Sequence, residues 1–223
     1  MSNCSQCQRD FEVTEWDIGF YKRMDVPIPA LCPDCRQQRR LAWRNERALY
    51  HRSCDKTGKR IISFYQPCSP LIVYDKDVWW GDSWDGKEFG RDFDFSRPFF
   101  EQFSELFRQV PHIGLMISHG ENSDYCPYSV WYRNSYLCVS GMVGEDLYYS
   151  FFLSESKDCM DCYACHKSER CYECVNCANL YNSIFCRSCD NSHDLTFCLN
   201  CDGCSDCIGC YGLRHKQYHV FNQ

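Results

Sequence analysis

From Asn122 onward, small and apolar residues recur at every third position and repeat in a fixed register of twelve. One column reads Cys126, Cys138, Ser150, Cys162, Cys174, Cys186, Cys198 and Cys210. Three residues later in each period come Ser129, Gly141, Leu153, Cys165, Cys177, Cys189, Cys201 and Leu213, and three residues earlier Ser123, Ser135, Leu147, Cys159, Cys171, Ser183, Leu195 and Cys207. A fourth column runs Tyr132, Gly144, Ser156, Ser168, Leu180, Ser192 and Cys204. Self-similarity at a fixed short period is the signature of a solenoid. Four inward positions per period predict a narrow coil with about one short strand per turn, carried by bulky residues such as Tyr148, Phe151, Tyr172 and Phe197. The column Asn122, Asn134, Asp146, Asp158, Arg170, Asn182, Asp194 and Asp206 suits a corner that needs a turn or left-handed backbone. About eight coils at the ~4.8 Å strand spacing make a rod of roughly 40 Å. So narrow a coil admits Cys, Ser, Gly, Ala and an occasional Leu, with cysteine acting as a small hydrophobe. The geometry resembles that of the twelve-residue β-helices of some insect antifreeze proteins, although the outer face here is aromatic rather than Thr-x-Thr.

Upstream the periodicity changes. Strand-like runs at Ile61–Tyr65 and Leu71–Tyr74 flank a Pro-containing turn. A helix is expected after them, with Ser96 as N-cap, Pro98 in its first turn and Phe99, Phe103, Leu106, Phe107 and Val110 on one face. Another is expected to open at Pro33-Asp34 and run to about His51, with Leu41 and Ala48 on its apolar side. The chain thus reads as α+β, mainly β. It comprises a Cys-rich N-terminal segment with a basic helix (1–52), a small α+β middle segment (53–117) and a C-terminal β-solenoid with twelve-residue coils (118–223).

Cysteine chemistry divides along the same lines. Neighbouring column residues have parallel Cβ vectors about 4.8 Å apart, whereas a disulfide wants convergent vectors at ~3.5–4.5 Å. The count of 21 cysteines is odd, and the first residues carry no apolar leader. Reduced thiols and a cytoplasmic location are therefore expected. No run is long and apolar enough for a membrane span, so no membrane partner is expected.

Cys4-x2-Cys7 and Cys32-x2-Cys35 differ from the solenoid cysteines, because two such pairs form two knuckles that complete a closed tetrahedral thiolate site. One structural Zn2+ is the expected cofactor. Such a site has no open position for water, which makes it a folding device rather than a catalytic one. Together with Phe11, Val13-Thr14, Phe20-Tyr21, Pro27 and Cys32-Pro33-Asp34-Cys35-Arg36, these cysteines resemble a family of probable zinc-ribbon domains of small bacterial proteins, over about the first 40 residues. A looser resemblance extends to uncharacterised bacterial proteins that join such a ribbon to a Cys-rich tail. The resemblance implies zinc at the four cysteines and supplies no activity.

Charge is strongly segregated. Residues 36–60 carry nine basic side chains against Glu46 and Asp55, a local charge of +7, which leaves −13 on the remainder of a chain whose net charge is −6. Arg36, Arg39, Arg40, Arg44 and Arg47 form a candidate phosphate-binding face beside the ribbon. The competing reading pairs these arginines with Asp75, Asp77, Asp82, Asp85, Asp92 and Asp94.

Other constellations carry less. His51, Cys54 and Cys68 have no recognised metal-ligand spacing, and buried structural cysteines are the expectation. Cys207-x2-Cys210-x4-His215-x3-His219 approximates a zinc knuckle, but Cys207 and Cys210 already fit the columns. The aromatic run Trp79-Trp80-Gly81-Asp82-Ser83-Trp84 is expected to fasten one segment to another. His112, His119, Glu121 and Asp124 match no named reaction. The residues His219–Gln223 offer no obvious polar cap, leaving the last coil to be covered by a partner or by further chain. The leading functional expectation is a non-enzymatic zinc-binding scaffold or interaction protein, self-associating or meeting a protein partner through the aromatic solenoid face. The alternatives are a nucleic-acid-binding protein using the arginines, and a multi-metal thiolate store or sensor in the solenoid.

Overall fold

The computed structural model describes residues 1–45, 47–175, 178 and 181–223. Glu46, Cys177 and Leu180, each assigned a place from sequence, lie outside them. The chain divides into two compact units, Met1–Arg47 and Ala48–Gln223.

In the first unit, β1 (Ser2–Asn3) pairs antiparallel with β2 (Asp10–Phe11). Helix α1 (Glu15–Arg23) starts with a capping box, in which the Thr14 hydroxyl accepts from Asp17 N and the Asp17 carboxylate accepts from Thr14 N. Helix α2 (Pro33–Leu41) follows Cys32, with Pro33 in the first-turn position where proline is tolerated. Its last residue is Leu41, ten residues short of the His51 expected from sequence. Leu41, on the expected apolar side, is 61% exposed, and Trp43 beyond it is 77% exposed. Helix stability comes mainly from burying an apolar face, so nothing supports further turns.

In the second unit, β3 (Tyr50–Ser53) and β4 (Arg60–Ser63) form an antiparallel hairpin. β5 (Val73–Tyr74) leads into α3 (Lys76–Trp80), capped by the Asp75 carboxylate. Helix α4 (Phe99–Gln109) precedes β6 (His112–Ile113), which lies parallel to β5. Ser96 is not the cap of α4. Its hydroxyl is drawn to the Asp94 carboxylate at 2.6 Å, a stronger acceptor, and Pro98 takes the cap position without a side-chain bond. Nor does α4 bury its aromatic face. Phe99, Phe103 and Phe107 are exposed, and the residue it buries is Gln102, whose amide binds Asp94 N, Asp94 O and Arg97 O.

The solenoid comprises β7 (Ile117–Ser118), β8 (Ser129–Arg133), β9 (Val139–Tyr148), β10 (Phe151–Met160), β11 (Glu169–Tyr172), β12 (His193–Thr196) and β13 (Ser205–Ile208). All the ladders are parallel with a twelve-residue offset, and single bridges carry the register on to Ile208↔Val220. One strand per turn is too few. Asp146, Tyr149, Phe152 and Glu155 have φ of 55°, 52°, 56° and 51°, and the same left-handed conformation recurs at every third described position from Tyr128 to Phe221. Each coil is therefore a square of four three-residue sides. Each side offers an inward residue, a residue bridged to the neighbouring coils, and a left-handed corner.

This geometry explains the cysteines and serines inside. The inward amide cannot join the outer ladder, so the side chain twelve residues earlier must accept it. Ser150 Oγ accepts from Cys162 N at 3.0 Å, Ser135 Oγ from Leu147 N at 3.3 Å, and Ser192 Oγ from Cys204 N at 3.1 Å. The sulfurs of Cys138, Cys162, Cys186 and Cys198 accept from the amides of Ser150, Cys174, Cys198 and Cys210 in the same way. Each side chain also donates. Ser150 Oγ gives its proton to Tyr148 O at 2.7 Å, and the Cys198 thiol is shared between Thr196 O and Cys207 O. Leu147, Leu153 and Leu195 also sit inside and can do neither, so they fill space without extending the ladder.

The outer sides are not alike. One carries Tyr136, Tyr148, Met160, Tyr172, Ile184, Thr196, Ile208 and Val220 as a continuous bridged column, and the next carries Phe151, Tyr163, Val175, Arg187 and Leu199. The side preceding the first of these carries Arg133, Glu145 and Lys157, with ion pairs from Arg133 to Glu121 and from Lys157 to Glu145. Its corners are Asn134, Asp146, Asp158, Asn182 and Asp194, with Asn122 bonding Asn134 and Asn182 bonding Asp194 one coil away.

Candidate metal centre and basic face

Cys4 ends β1, and its chain turns at once: Cys4 N donates to Arg9 O, Gln8 N donates to Cys4 O, and Gln8 takes φ 61°. This knuckle points Cys4 and Cys7 to one side. The second pair comes from the start of α2, with Cys32 as its N-cap and Cys35 in its first turn. The sulfurs of Cys4, Cys7, Cys32 and Cys35 all lie within 4.8 Å of one another, and Cys7 Sγ is 3.7 Å from Cys32 Sγ. A tetrahedron with metal–sulfur bonds of ~2.3 Å has edges of ~3.8 Å. The quartet fits a metal ion, and the sequence-assigned ligands converge.

Its electrostatics favour a cation. The amides of Cys7 and Cys32 point at Cys4 Sγ and pull that thiol down to about 6, with Cys32 N at 3.3 Å. Cys35 is pushed up to about 12 by burial and by the sulfurs around it. A divalent ion relieves that conflict by binding all four sulfurs as thiolates and offsetting part of their charge. Among the described residues, this is the one group of three or more Cys, His, Asp or Glu that converges on a point. His51, Cys54 and Cys68 do not assemble, since Cys54 is buried while Cys68 is exposed and bonds Gln66. Cys207 and Cys210 face the solenoid interior, while His219 bonds Gln217 O, so the terminal knuckle spacing forms no cluster either.

The solenoid thiols do not share one state. Burial pushes Cys198 up to about 12 and raises Cys201 and Cys207, whereas hydrogen bonds from the neighbouring thiols Cys162 and Cys186 lower Cys159 to about 5 and Cys189 to about 7. Among the described residues every cysteine is free of disulfides.

The five arginines do not form one face. Arg36 is half-buried and donates to Tyr21 Oη at 2.6 Å. Arg39 and Arg40 are exposed on α2, and Arg44 and Arg47 are exposed beyond its end. Of the six acids proposed to neutralise them, Asp75 pairs with Lys59 at 3.1 Å and Asp94 accepts from Ser96. Among the described residues, no helix is long and apolar enough to cross a membrane. The chain matches no protein-family model, and comparison with curated proteins finds no relative.

Proposed function

We propose that this protein is a non-enzymatic, self-associating scaffold, with Zn2+ at Cys4, Cys7, Cys32 and Cys35 and a solenoid that pairs with a second copy through its aromatic sides. The observation that carries this reading is the partition of the solenoid surface. Two adjacent sides hold the Tyr136-to-Val220 and Phe151-to-Leu199 columns, interrupted by Arg187 and flanked by the corners Asp161 and Glu173, and the inter-coil ion pairs of Arg133 and Lys157 lie on the side before them. Tyr148 and Ile184 remain 37% and 41% exposed. A face ~40 Å long and two three-residue sides wide offers roughly 600–800 Å² per partner, close to the ~800 Å² of a standard interface. Contiguous apolar surface of this size marks a contact site in soluble proteins, and a twelve-residue repeat makes it complementary to its own copy. Sedimentation velocity on the zinc-loaded chain tests this. The expected result is a dimer that becomes monomeric in Tyr148→Lys with Tyr172→Lys, while circular dichroism is unchanged. A wild type that stays monomeric up to its solubility limit rejects the reading.

A second reading is nucleic-acid binding. It is favoured by the exposure of Arg39 and Arg40 on a helix anchored by the metal knuckle. Phosphate contacts of this kind weaken steeply with salt. A salt-sensitive mobility shift of RNA or duplex DNA, lost on Arg40→Glu with Arg44→Glu, supports it; no shift at low salt rejects it.

A further inference from the structure

The segment from β3 to α3 repeats the hydrogen bonding of the metal knuckle with almost none of its cysteines. Cys4 N donates to Arg9 O at 3.0 Å, and Cys54 N donates to Lys59 O at 2.8 Å. Gln8 N donates to Cys4 O, and Gly58 N to Cys54 O, with Gln8 and Gly58 at φ of 61° and 70°. Ser5 N reaches Ala30 O, and Asp55 N reaches Val73 O. Cys32 N donates to Cys4 Sγ at 3.3 Å, and Asp75 N donates to Cys54 Sγ at 3.2 Å. Arg36 N closes onto Cys32 O, and Trp79 N onto Asp75 O. Each knuckle sits in an antiparallel hairpin, and each second half is a helix capped by its first residue, Cys32 or Asp75.

The correspondence is residue by residue. Cys54 stands for Cys4, Thr57 for Cys7, Asp75 for Cys32 and Val78 for Cys35, with the x2 spacing kept in both pairs. We propose that residues 50–80 are a second ribbon whose metal has been exchanged for the protein's own groups. Of the four ligand positions, Val78 has no donor atom and Thr57 has only a hydroxyl, so the site cannot close around an ion as the first one does. Its bonds are made internally instead. The Asp75 carboxylate takes Lys59 Nζ at 3.1 Å and Asp77 N at 3.0 Å, and Cys54 is buried against Ile61 and Val73. Burial pushes the Cys54 thiol up, but the Thr57 hydroxyl and the amides of Asp75, Thr57 and Lys56 more than reverse it, the same cradle of donors that surrounds Cys4.

The metal-free ribbon also has a place in the fold. Gly114 N bonds Tyr74 O and Phe64 N bonds Gly114 O, directly before the buried Leu115 and Ile117 that open the solenoid. A Cβ on Gly114 would stand 3.0 Å from both Ile61 Cδ1 and Tyr74 O. The second ribbon thus anchors the first coil, and it does so without depending on metal supply.

The test restores the ligands. Thr57→Cys with Asp75→Cys and Val78→Cys is titrated with Co2+ in parallel with wild type, reading thiolate charge-transfer absorbance and bound metal after gel filtration. The expected result is a rise from about one to about two tetrahedral Co2+ per chain. Because Asp75 also caps α3, the variant Thr57→Cys with Val78→Cys is run beside it, keeping the cap and offering three thiolates and a carboxylate. A folded variant of either kind that still takes one ion overturns the proposal. So does failure of both to fold in excess Co2+, since a fitting ion stabilises the folded state by mass action. A wild type that binds a second ion, lost on Cys54→Ser, also overturns it.

Discussion

Ser150 tests the reason why the solenoid interior is built from cysteine and serine. Its hydroxyl accepts Cys162 N at 3.0 Å and donates to Tyr148 O at 2.7 Å, and the residue is 1% exposed. Ser150→Ala removes one oxygen and opens almost no cavity, but it strands a buried amide and removes one bond from a buried carbonyl. A net hydrogen bond contributes about 1 kcal/mol, and a buried donor left without a partner costs about 1–3 kcal/mol. The expected loss is thus about 2–3 kcal/mol, or a fall in Tm of roughly 4–10 °C for a unit of this size. Ser150→Cys restores both bonds through sulfur, as Cys162 and Cys198 do in the same column, and should stay within about 1 kcal/mol of wild type. Thermal and urea unfolding followed by circular dichroism, with reductant present throughout, provide the readout. If Ser150→Ala is as stable as wild type, or Ser150→Cys is as damaging as Ser150→Ala, the interior is simple packing and the ladder argument fails.

Other consequences are open to measurement. Val143 is a β-branched residue at a left-handed corner, with φ 57° and its side chain exposed, so Val143→Asn should raise stability by about 1 kcal/mol; an unchanged or lower Tm contradicts the strain. Stripping metal with a strong chelator should abolish the fold of residues 1–47 and leave the amide exchange protection of the solenoid intact, because the closed quartet lies within the first unit; protection lost in both units together refutes this. Burial raises Cys198, Cys201 and Cys207 above the unfolded value near 8.5, so the folded state holds protons that the unfolded chain releases. Their contribution is complete below about pH 8.5 and falls as pH rises towards the folded values, so the urea midpoint of the solenoid should drop between neutral and strongly alkaline buffer. A thiol reagent added to the native, zinc-loaded chain should label Cys68 fast and the solenoid thiols only on unfolding; a fast phase that survives Cys68→Ser counts against that burial.

How much of this was legible in the sequence depends on what the residues had to do. The twelve-residue register was readable because a square coil of three-residue sides favours small side chains at most inward positions, with Tyr132, Leu147, Leu153 and Leu195 as the large ones. The four corners were not, because Tyr149, Phe152, Phe185 and Phe197 are residue types that avoid left-handed backbone. On the side that carries Arg133, Glu145 and Lys157 the corners are mostly Asn and Asp, and there the chain announces them most clearly. The ribbon ligands were legible from two C-x2-C pairs. The copy at Cys54 was not, since three of its four ligand types are gone and only hydrogen bonding retains the pattern. Helix α2 ends earlier than the sequence suggests because Leu41, on its apolar side, stays exposed and has nothing to bury against.

Cysteine serves in three electrostatic states in this protein, and backbone amides set the choice among them. At the ribbon, donors converge on Cys4 while Cys35 is buried among other sulfurs, and only a cation satisfies both. At Cys54 the amide cradle persists, but the neighbouring ligand positions are Thr, Asp and Val, and a hydroxyl and an ion pair complete the shell. In the solenoid the Cys198 sulfur accepts an amide from the next coil and shares its proton between two carbonyls, and burial holds the proton there, while hydrogen bonds from neighbouring thiols lower Cys159 and Cys189. A metal taking Cys198 would have to break these bonds. The density of cysteine in this chain is therefore a poor guide to its metal content. The convergence of sulfurs on one point is a good one, and among the described residues it occurs at Cys4, Cys7, Cys32 and Cys35.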